Sequence, residues 1–99
     1  MTDAELIEFA TEFREGILDG GPSWMMCAAV AWPLAGLLRF YGMEVETEQG
    51  ETEECNHVWI RLPDGRVLDP TADQFNLFER YGELPAVYLG PPLAIHGAP

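Results

Sequence analysis

The feature that most constrains this fold is a β-hairpin predicted around a Pro-Asp-Gly loop at residues 63–65. The flanking segments, 57–62 and 66–69, are rich in β-branched, aliphatic and aromatic side chains, and the glycine suits the left-handed position of a three-residue loop. An odd-length loop places His57 and Asp69 on one face of the hairpin as a diagonal pair. Their Cα atoms are then roughly 7–8 Å apart, which is within side-chain reach.

The predicted register also divides the hairpin side chains between two faces. It pairs Ile60 with Leu68, and the face turned to the core carries Val58, Ile60, Leu62 and Leu68. The opposite face carries His57, Trp59, Arg61, Val67 and Asp69. A histidine beside a carboxylate forms a base and the group that orients it, which is half of a nucleophilic triad.

Cys27 is the candidate nucleophile for this pair. It lies about one turn inside a predicted helix with Ser23 as its N-cap, where free amide groups and the helix dipole lower the pKa of a thiol. The same amide groups are suited to an oxyanion hole. Each residue also has a purely structural interpretation: Cys27 as a small hydrophobe, His57 as a hydrogen-bonding strand residue, and Asp69 as the start of a turn.

The remaining pattern predicts an α+β fold in one domain over residues 1–99, with N-terminal helices packed on a small antiparallel sheet. The first helix spans residues 3–18 and begins with a Thr2–Glu5 capping box, and the second runs from Ser23 to about Tyr41, with a kink or break at Pro33. Further along the chain we predict a strand at 43–49, a mobile loop at 50–56, irregular or briefly helical chain at 72–81, a last strand at 86–89 and an extended tail at 91–99.

Charge limits the possible partners. Seventeen acidic residues against five arginines give a net charge of −12, so the surface repels nucleic acid and anionic lipid. The longest apolar run, residues 24–38, is shorter than the ~20 residues needed to cross a bilayer, and the N-terminus has no basic signal region. Two cysteines in such a chain indicate a cytoplasmic protein with reduced thiols.

The sequence also resembles a known family. The His57-Val58-Trp59 motif followed by Leu68-Asp69-Pro70-Thr71, with Gln74 beyond, resembles the catalytic core of transglutaminase-like proteins in the papain-like cysteine superfamily. Residues 27–30, leading into 37–42, resemble the core helix of that group, and the stretch 57–75 is similar to small bacterial and phage proteins of this type. The resemblance implies a minimal papain-like fold.

The resemblance also implies a mechanism and a set of roles. Cys27 is the implied thiolate nucleophile, His57 the general base and then acid, and Asp69 the orienting residue, in acyl transfer on a protein or peptide substrate without a metal or organic cofactor. Papain-like peptidases place an oxyanion-hole glutamine six residues before the cysteine, where this chain has Gly21. The candidates for oxyanion or substrate contacts are therefore Trp24, Gln74 and Trp59.

Two other functions fit the same residues. Six glutamates between positions 44 and 54 favour a non-catalytic acidic interaction or inhibitor protein that occupies a basic surface on a partner. A metal site built from Cys55 and His57 together with Cys27 or Asp69 is a third hypothesis, although Cys-x-His is not a usual zinc spacing.

Overall fold

The fold, in a computed structural model that describes residues 1–98, has two helices followed by four strands. The α-helices are α1 (Asp3–Leu18) and α2 (Cys27–Phe40), and the strands are β1 (Glu46–Glu51), β2 (Asn56–Arg61), β3 (Val67–Asp69) and β4 (Tyr88–Gly90). The strands form one antiparallel sheet in the order β1-β2-β3-β4, on which the helices pack. Short 3₁₀ helices span Ala72–Leu77, Glu79–Tyr81 and Ala94–His96. The predicted α+β class is confirmed.

Helix α1 begins as the sequence predicts. The Thr2 hydroxyl accepts a hydrogen bond from the Glu5 amide at 3.2 Å, and the Glu5 carboxylate accepts one from the Thr2 amide at 3.0 Å, which completes the capping box. Leu6 and Ala10 point into the core. The acidic residues of the helix lie mainly on its solvent side, as their spacing requires.

Helix α2 differs from the prediction at its start and at its proline. It begins at Cys27, with Met26 as its N-cap, three residues later than predicted, because Ser23 does not cap it; the Ser23 hydroxyl donates to Asp73 at 2.8 Å instead. The sequence predicts a kink or a break at Pro33, and the helix continues through this residue without a break. Pro33 lies on the exposed side, while five fully buried residues on the other side hold the helix in the core: Val30, Ala31, Leu34, Ala35 and Leu38.

The central hairpin has the predicted register. Ile60 pairs with Leu68, the Leu62 amide donates to the Arg66 carbonyl at 2.8 Å, and Gly65 adopts a φ of +89°. The residues predicted for the core face are all buried with helix α2: Val58, Ile60, Leu62 and Leu68.

Three outer segments depart from the prediction. Strand β1 begins at Glu46 rather than Met43 and extends to Glu51. In place of the predicted mobile loop at 50–56, a tight turn follows the strand, and in it the Thr52 hydroxyl accepts a hydrogen bond from the Cys55 amide at 3.2 Å. Strand β4 begins two residues later than the predicted 86–89 and ends one residue later. The predicted extended tail at 91–99 is wrong over its described part, because residues 94–96 form a 3₁₀ turn with two buried side chains. Within residues 1–98, no helix has the length and apolar character needed to span a membrane.

Candidate active site

The centre of the site is a buried contact between His57 and Asp69. Nε2 of His57 lies 2.6 Å from Oδ2 of Asp69, and neither side chain is exposed to solvent. His57 follows the first residue of β2, and Asp69 ends β3. The two strands are neighbours in the sheet, so the hairpin brings together the pair that its register predicted.

Asp69 accepts hydrogen bonds on both carboxylate oxygens. Oδ2 also accepts a hydrogen bond from Nε2 of His96 at 2.7 Å, and Oδ1 accepts one from the Thr71 amide at 3.1 Å. Burial raises the pKa of the Asp69 carboxyl, but hydrogen bonding and charge from the two histidines outweigh it, and the pKa lies below its usual value. Asp69 is therefore a carboxylate in the folded protein.

His96 is the site residue that sequence reasoning missed. It lies in the 3₁₀ turn near the C-terminus, in the segment predicted to be an extended tail. One signal for it is in the sequence: Leu93 and Ile95 are apolar residues beside the histidine, and Ile95 is buried with Phe75 in a small second core. Two prolines before this segment and a Gly-Ala-Pro ending after it obscured that signal.

The imidazole of His57 is the basic group of the site. Burial lowers the pKa of His57, but the hydrogen bond with Asp69, and then the influence of Cys27, raise it from 6.5 to about 9. Nε2 faces Asp69, so Nδ1 is the nitrogen available to exchange a proton with a reacting group. This arrangement favours an imidazolium at neutral pH.

Cys27 is the first residue of α2 and is 7% exposed. Its thiol donates to the Asn56 carbonyl at a sulfur–oxygen distance of 3.8 Å. Burial raises the pKa of the Cys27 thiol, but hydrogen bonding with His57 and with the backbone amides of Val58 and Ala28 outweighs it, so that the pKa lies below its usual value. The direction is that of a cysteine prepared to act as a thiolate.

The sulfur of Cys27 lies outside the tight cluster at the centre of the site. The side-chain ligand atoms of His57, Asp69 and His96 all lie within 4.8 Å of one another, whereas the hydrogen bond of the thiol is to a carbonyl on β2. His57 nevertheless lowers the pKa of Cys27, and Cys27 raises the pKa of His57, so the thiol and the imidazole influence each other from the edge of the cluster.

Gln74 connects the cysteine loop to His57. Its Oε1 accepts the Met25 amide at 3.3 Å, which fixes the orientation of the side-chain amide. Its Nε2 donates to the Thr71 hydroxyl at 2.9 Å and lies 3.5 Å from Nδ1 of His57. Predicted as an oxyanion or substrate contact, Gln74 is buried, with its N–H groups directed at protein atoms.

Trp24, another residue predicted to contact an oxyanion or substrate, lies on the rim of the site. Its ring packs against Phe78, with centroids 5.6 Å apart. With Gln74 it lines a cavity of about 290 Å³, which also includes Pro22, Ser23, Asp73, Asn76 and Leu77. Trp24 therefore borders a cavity whose lining includes Gln74 but neither Cys27 nor His57.

Trp59, the third predicted contact, is buried over the histidines. Its ring centroid lies 5.6 Å from that of His57 and 5.1 Å from that of His96. A Cβ atom at Gly50 would lie 3.1 Å from the Trp59 ring, so a glycine at that position of β1 gives the indole room. Trp59 therefore shields the histidines rather than facing a ligand.

Arg14 ties three parts of the chain together next to the site. Its guanidinium binds both carboxylate oxygens of Asp73, at 2.8 and 3.0 Å, and donates to the carbonyls of Pro70 and Ala86 at 3.0 and 2.9 Å. The same Asp73 accepts the Ser23 hydroxyl. Helix α1 is thereby linked to the loop before Cys27 and to the chain after Asp69.

Cys55 does not share a metal-binding geometry with the other predicted ligands. Within residues 1–98, the cluster of potential ligand atoms that includes His57 contains Asp69 and His96, but neither cysteine. Cys55 lies in the turn before β2, against the second core, and burial raises the pKa of its thiol. Both cysteines carry free thiols.

The arrangement as a whole holds a basic imidazole, an ionised orienting acid and a thiol of lowered pKa at one end of the sheet. These groups can transfer a proton and form a covalent bond through sulfur. The sequence matches no protein-family model, no curated protein and no solved structure.

Proposed function

We propose that this protein is a cysteine-dependent acyl-transfer enzyme: a protease, an amidase or a transglutaminase-like enzyme. The observation that supports it best is the opposite direction of two pKa changes, lowered at Cys27 and raised to about 9 at His57. The two shifts favour transfer of the Cys27 proton to the imidazole, which forms a thiolate–imidazolium pair. Asp69 holds Nε2 of the ring and leaves Nδ1 for the chemistry.

The proposed reaction has two stages. The Cys27 sulfur attacks the carbonyl carbon of an amide or ester and forms a C–S bond, and His57 gives its Nδ1 proton to the leaving amine or alcohol as the acyl bond breaks. His57 then takes a proton from water or an amine, which attacks the thioester and releases the acyl group. The Cys27 thiolate and the His57 imidazolium are thereby restored.

The helix terminus supports the first stage. Once the thiol is deprotonated, it no longer donates to the Asn56 carbonyl, while the amides of Val58 and Ala28 still stabilise the anion. The ionised sulfur is therefore held by donors on α2 and β2, on the side where His57 supplies the opposite charge. The free amides of the first turn of α2 are the proposed oxyanion donors.

The proposed family is the transglutaminase-like group of the papain-like superfamily, and its support is the order of the three groups. Cysteine begins a helix, histidine lies near the start of a strand, and aspartate ends the next strand. We propose a protein or peptide as substrate and the cytoplasm as the location, since both thiols are free and reduced thiols are the normal state there.

The test is the formation of an acyl-enzyme. The protein is incubated with p-nitrophenyl acetate, p-nitrophenolate release is followed by absorbance, and the acetylated peptide is identified by mass spectrometry. We expect a rapid burst with the acetyl group on Cys27. The burst disappears in Cys27→Ala, and in His57→Gln it slows by about 10²–10⁴-fold, which is the usual contribution of a general base.

Cys55→Ser is the matched control, because it removes the other thiol of the chain. We expect this variant to keep the burst of the wild type. Acetylation on Cys55 alone, or a Cys27 burst that is unchanged in His57→Gln, would contradict the proposed mechanism.

A second candidate function has its own support in strand β1, which lies at an edge of the sheet. Its exposed glutamates, Glu46 and Glu51, lie with the exposed Glu44 and Glu53 in one acidic segment of the chain. Such a segment suits a basic protein partner. In this case the chain binds a polylysine probe with an affinity that falls steeply with salt and is unchanged in Cys27→Ala. Loss of binding in a Glu44→Gln, Glu46→Gln, Glu51→Gln triple variant tests the location.

A further inference from the structure

We propose that His96 is a positioning residue of this site, a neutral imidazole that locks Asp69 as the acceptor for His57. The inference rests on the proposed function, and it adds a fourth residue to the three that the sequence predicts. His96 lies 27 residues from Asp69 in the chain, yet its Nε2 and that of His57 converge on the same carboxylate oxygen at 2.7 and 2.6 Å.

The hydrogen bonds of His96 define its tautomer. The Leu93 amide lies 3.1 Å from Nδ1 of His96, and a backbone amide can only donate. Nδ1 is therefore an acceptor without a proton, and the ring proton is on Nε2, directed at Asp69. An imidazolium at this position would set an N–H on Nδ1 against the Leu93 N–H. The turn therefore holds His96 as a neutral donor.

His57 differs in the same cluster, and the difference gives the two rings separate tasks. Nε2 of His57 donates to Asp69, while Nδ1 has no backbone donor and faces the Gln74 amide at 3.5 Å. The Gln74 amide, at 3.5 Å, holds Nδ1 of His57 more loosely than the Leu93 amide, at 3.1 Å, holds Nδ1 of His96. The carboxylate between them binds one ring that reacts and one ring that does not.

The surrounding rings hold His96 in place. Its ring stacks on His57 and on Tyr88, with centroids 5.8 and 5.9 Å away, and meets the edge of Trp59 at 5.1 Å. The His96 side chain has no exposed area. A side chain with this packing keeps one orientation, and it excludes water from the second lone-pair direction of Asp69 Oδ2.

The titratable groups that face His96 are His57 from β2, Asp69 from β3 and Tyr88 from β4. Burial raises the pKa of Tyr88, and its hydroxyl donates to the Pro91 carbonyl at 2.6 Å, so it stays neutral through the range in which a histidine titrates. Tyr88 therefore adds no charge beside His96 in that range.

The side chains of His57, Asp69 and His96 are also of the types that bind a metal ion, and their potential ligand atoms lie within 4.8 Å of one another. The hydrogen bonds favour the proposed role, because a metal ligand must present a lone pair and both Nε2 atoms already direct protons at Asp69. Binding of a divalent cation is thus an alternative outcome that the experiment must distinguish.

The experiment compares His96→Gln with His96→Phe in the full chain. Glutamine keeps an N–H near the position of Nε2, while phenylalanine keeps the ring volume without a donor. The readout is the pH dependence of Cys27 alkylation by iodoacetamide in a Cys55→Ser background. We expect the midpoint to rise by about one pH unit in His96→Phe, equivalent to a tenfold smaller thiolate fraction, and to stay near the wild-type value in His96→Gln. Equal midpoints in all three proteins would overturn the proposal.

Nitrogen NMR of the wild-type imidazoles keeps the proposal testable if His96→Phe fails to fold. We expect His96 to show the Nε2–H tautomer. A protonated or Nδ1–H form of His96, or stoichiometric Zn²⁺ binding that shifts both histidines, would overturn the proposal. If His57→Gln leaves the Cys27 midpoint unchanged while His96 keeps its tautomer, the acyl-transfer function fails and the positioning of Asp69 stands.

Discussion

The imidazole of His57 and the carboxylate of Asp69 meet at 2.6 Å, although the two residues are 12 positions apart in the sequence, and neither side chain is accessible to solvent. A buried charge is stable only when it is paired and fully hydrogen-bonded, and here three N–H groups converge on one carboxylate. The chain thus maintains an ionised acid in its interior, and the basicity of His57 depends on it.

The first prediction concerns the pH dependence of the two thiols. The pKa is lowered at Cys27 and raised at Cys55, so the thiolate of Cys27 forms at lower pH. Iodoacetamide reacts with the thiolate, and we expect Cys27 to be alkylated with a midpoint below pH 9, the ordinary value, and Cys55 with a midpoint above it. Rates are measured by mass spectrometry across pH 5–10.

The single variants separate the two reactions. Cys55→Ser reports on Cys27, Cys27→Ser reports on Cys55, and His57→Gln in the first background removes the cation. We expect His57→Gln to raise the Cys27 midpoint by about one pH unit or more. A Cys27 midpoint that is higher than that of Cys55 would show that the thiol is an ordinary buried one.

The second prediction is that Asp69→Asn destabilises the protein by about 3–5 kcal/mol, because it removes one partner of a buried ion pair. The side-chain NH₂ group of an asparagine at this position would face either the histidine N–H groups or the Thr71 amide, so two hydrogen-bond donors would oppose each other. The pKa of Asp69 is lowered on folding, so its contribution is complete above pH 3.8 and is lost as the pH falls through the lower folded value.

Urea unfolding followed by circular dichroism measures this loss at pH 7 and near pH 3. Asp64→Asn is the control, since Asp64 is an exposed carboxylate in the hairpin loop that also accepts a backbone amide. We expect a much smaller change for the control. Similar losses in both variants would indicate that the buried pair has no special energetic role.

The sequence was sufficient for the hairpin and for the pair that it presents. The alternation of side chains and the glycine in the loop are local signals, and an odd loop length determines which side chains share a face. His57 and Asp69 therefore followed from the register alone. The capping box of α1 is local in the same sense, and it was also predicted correctly.

The features that the sequence did not reveal depend on contacts between distant segments. Ser23 has the right chemistry for an N-cap, but Asp73 takes its hydroxyl, so α2 begins at Cys27. The buried side of α2 outweighs the local cost of Pro33. His96 is held by Asp69 and Leu93, and the surrounding prolines and glycine outweighed the weak apolar signal of Leu93 and Ile95 that the segment turns back into the core.

The third prediction concerns the indole that covers the histidines. Trp59→Ala removes a buried side chain, 5% exposed, from its contacts with His57 and His96, and we expect a loss of about 3–5 kcal/mol. Water that enters the cavity weakens the hydrogen bonds to Asp69, so the alkylation midpoint of Cys27 also rises.

Trp32→Ala is the matched control, because Trp32 is 56% exposed on α2. Its effect on the free energy of unfolding should be within about 1 kcal/mol, with no change in the Cys27 midpoint. Urea unfolding and the alkylation profile are measured for both variants. An unchanged Cys27 midpoint in Trp59→Ala would mean that the indole contributes to packing alone.

The fourth prediction tests whether Arg14 supports the site from helix α1. Arg14→Met keeps most of the aliphatic stem, but it leaves Asp73 and the carbonyls of Pro70 and Ala86 without their donor. We expect a loss of about 3 kcal/mol, since breaking a largely buried, bidentate ion pair typically costs 3–5 kcal/mol and Asp73 remains partly accessible to water.

Arg66→Met is the control for the same change of chemistry at the surface. Arg66 forms a similar two-pronged contact with Asp3, but both partners are accessible to solvent, so we expect little change in stability. Arg14 also anchors the segment between Asp69 and Gln74, so the acyl-enzyme burst should fall in Arg14→Met under conditions in which the variant is still folded. A folded Arg14→Met variant with a wild-type burst would show that the contact stabilises the fold without positioning the catalytic groups.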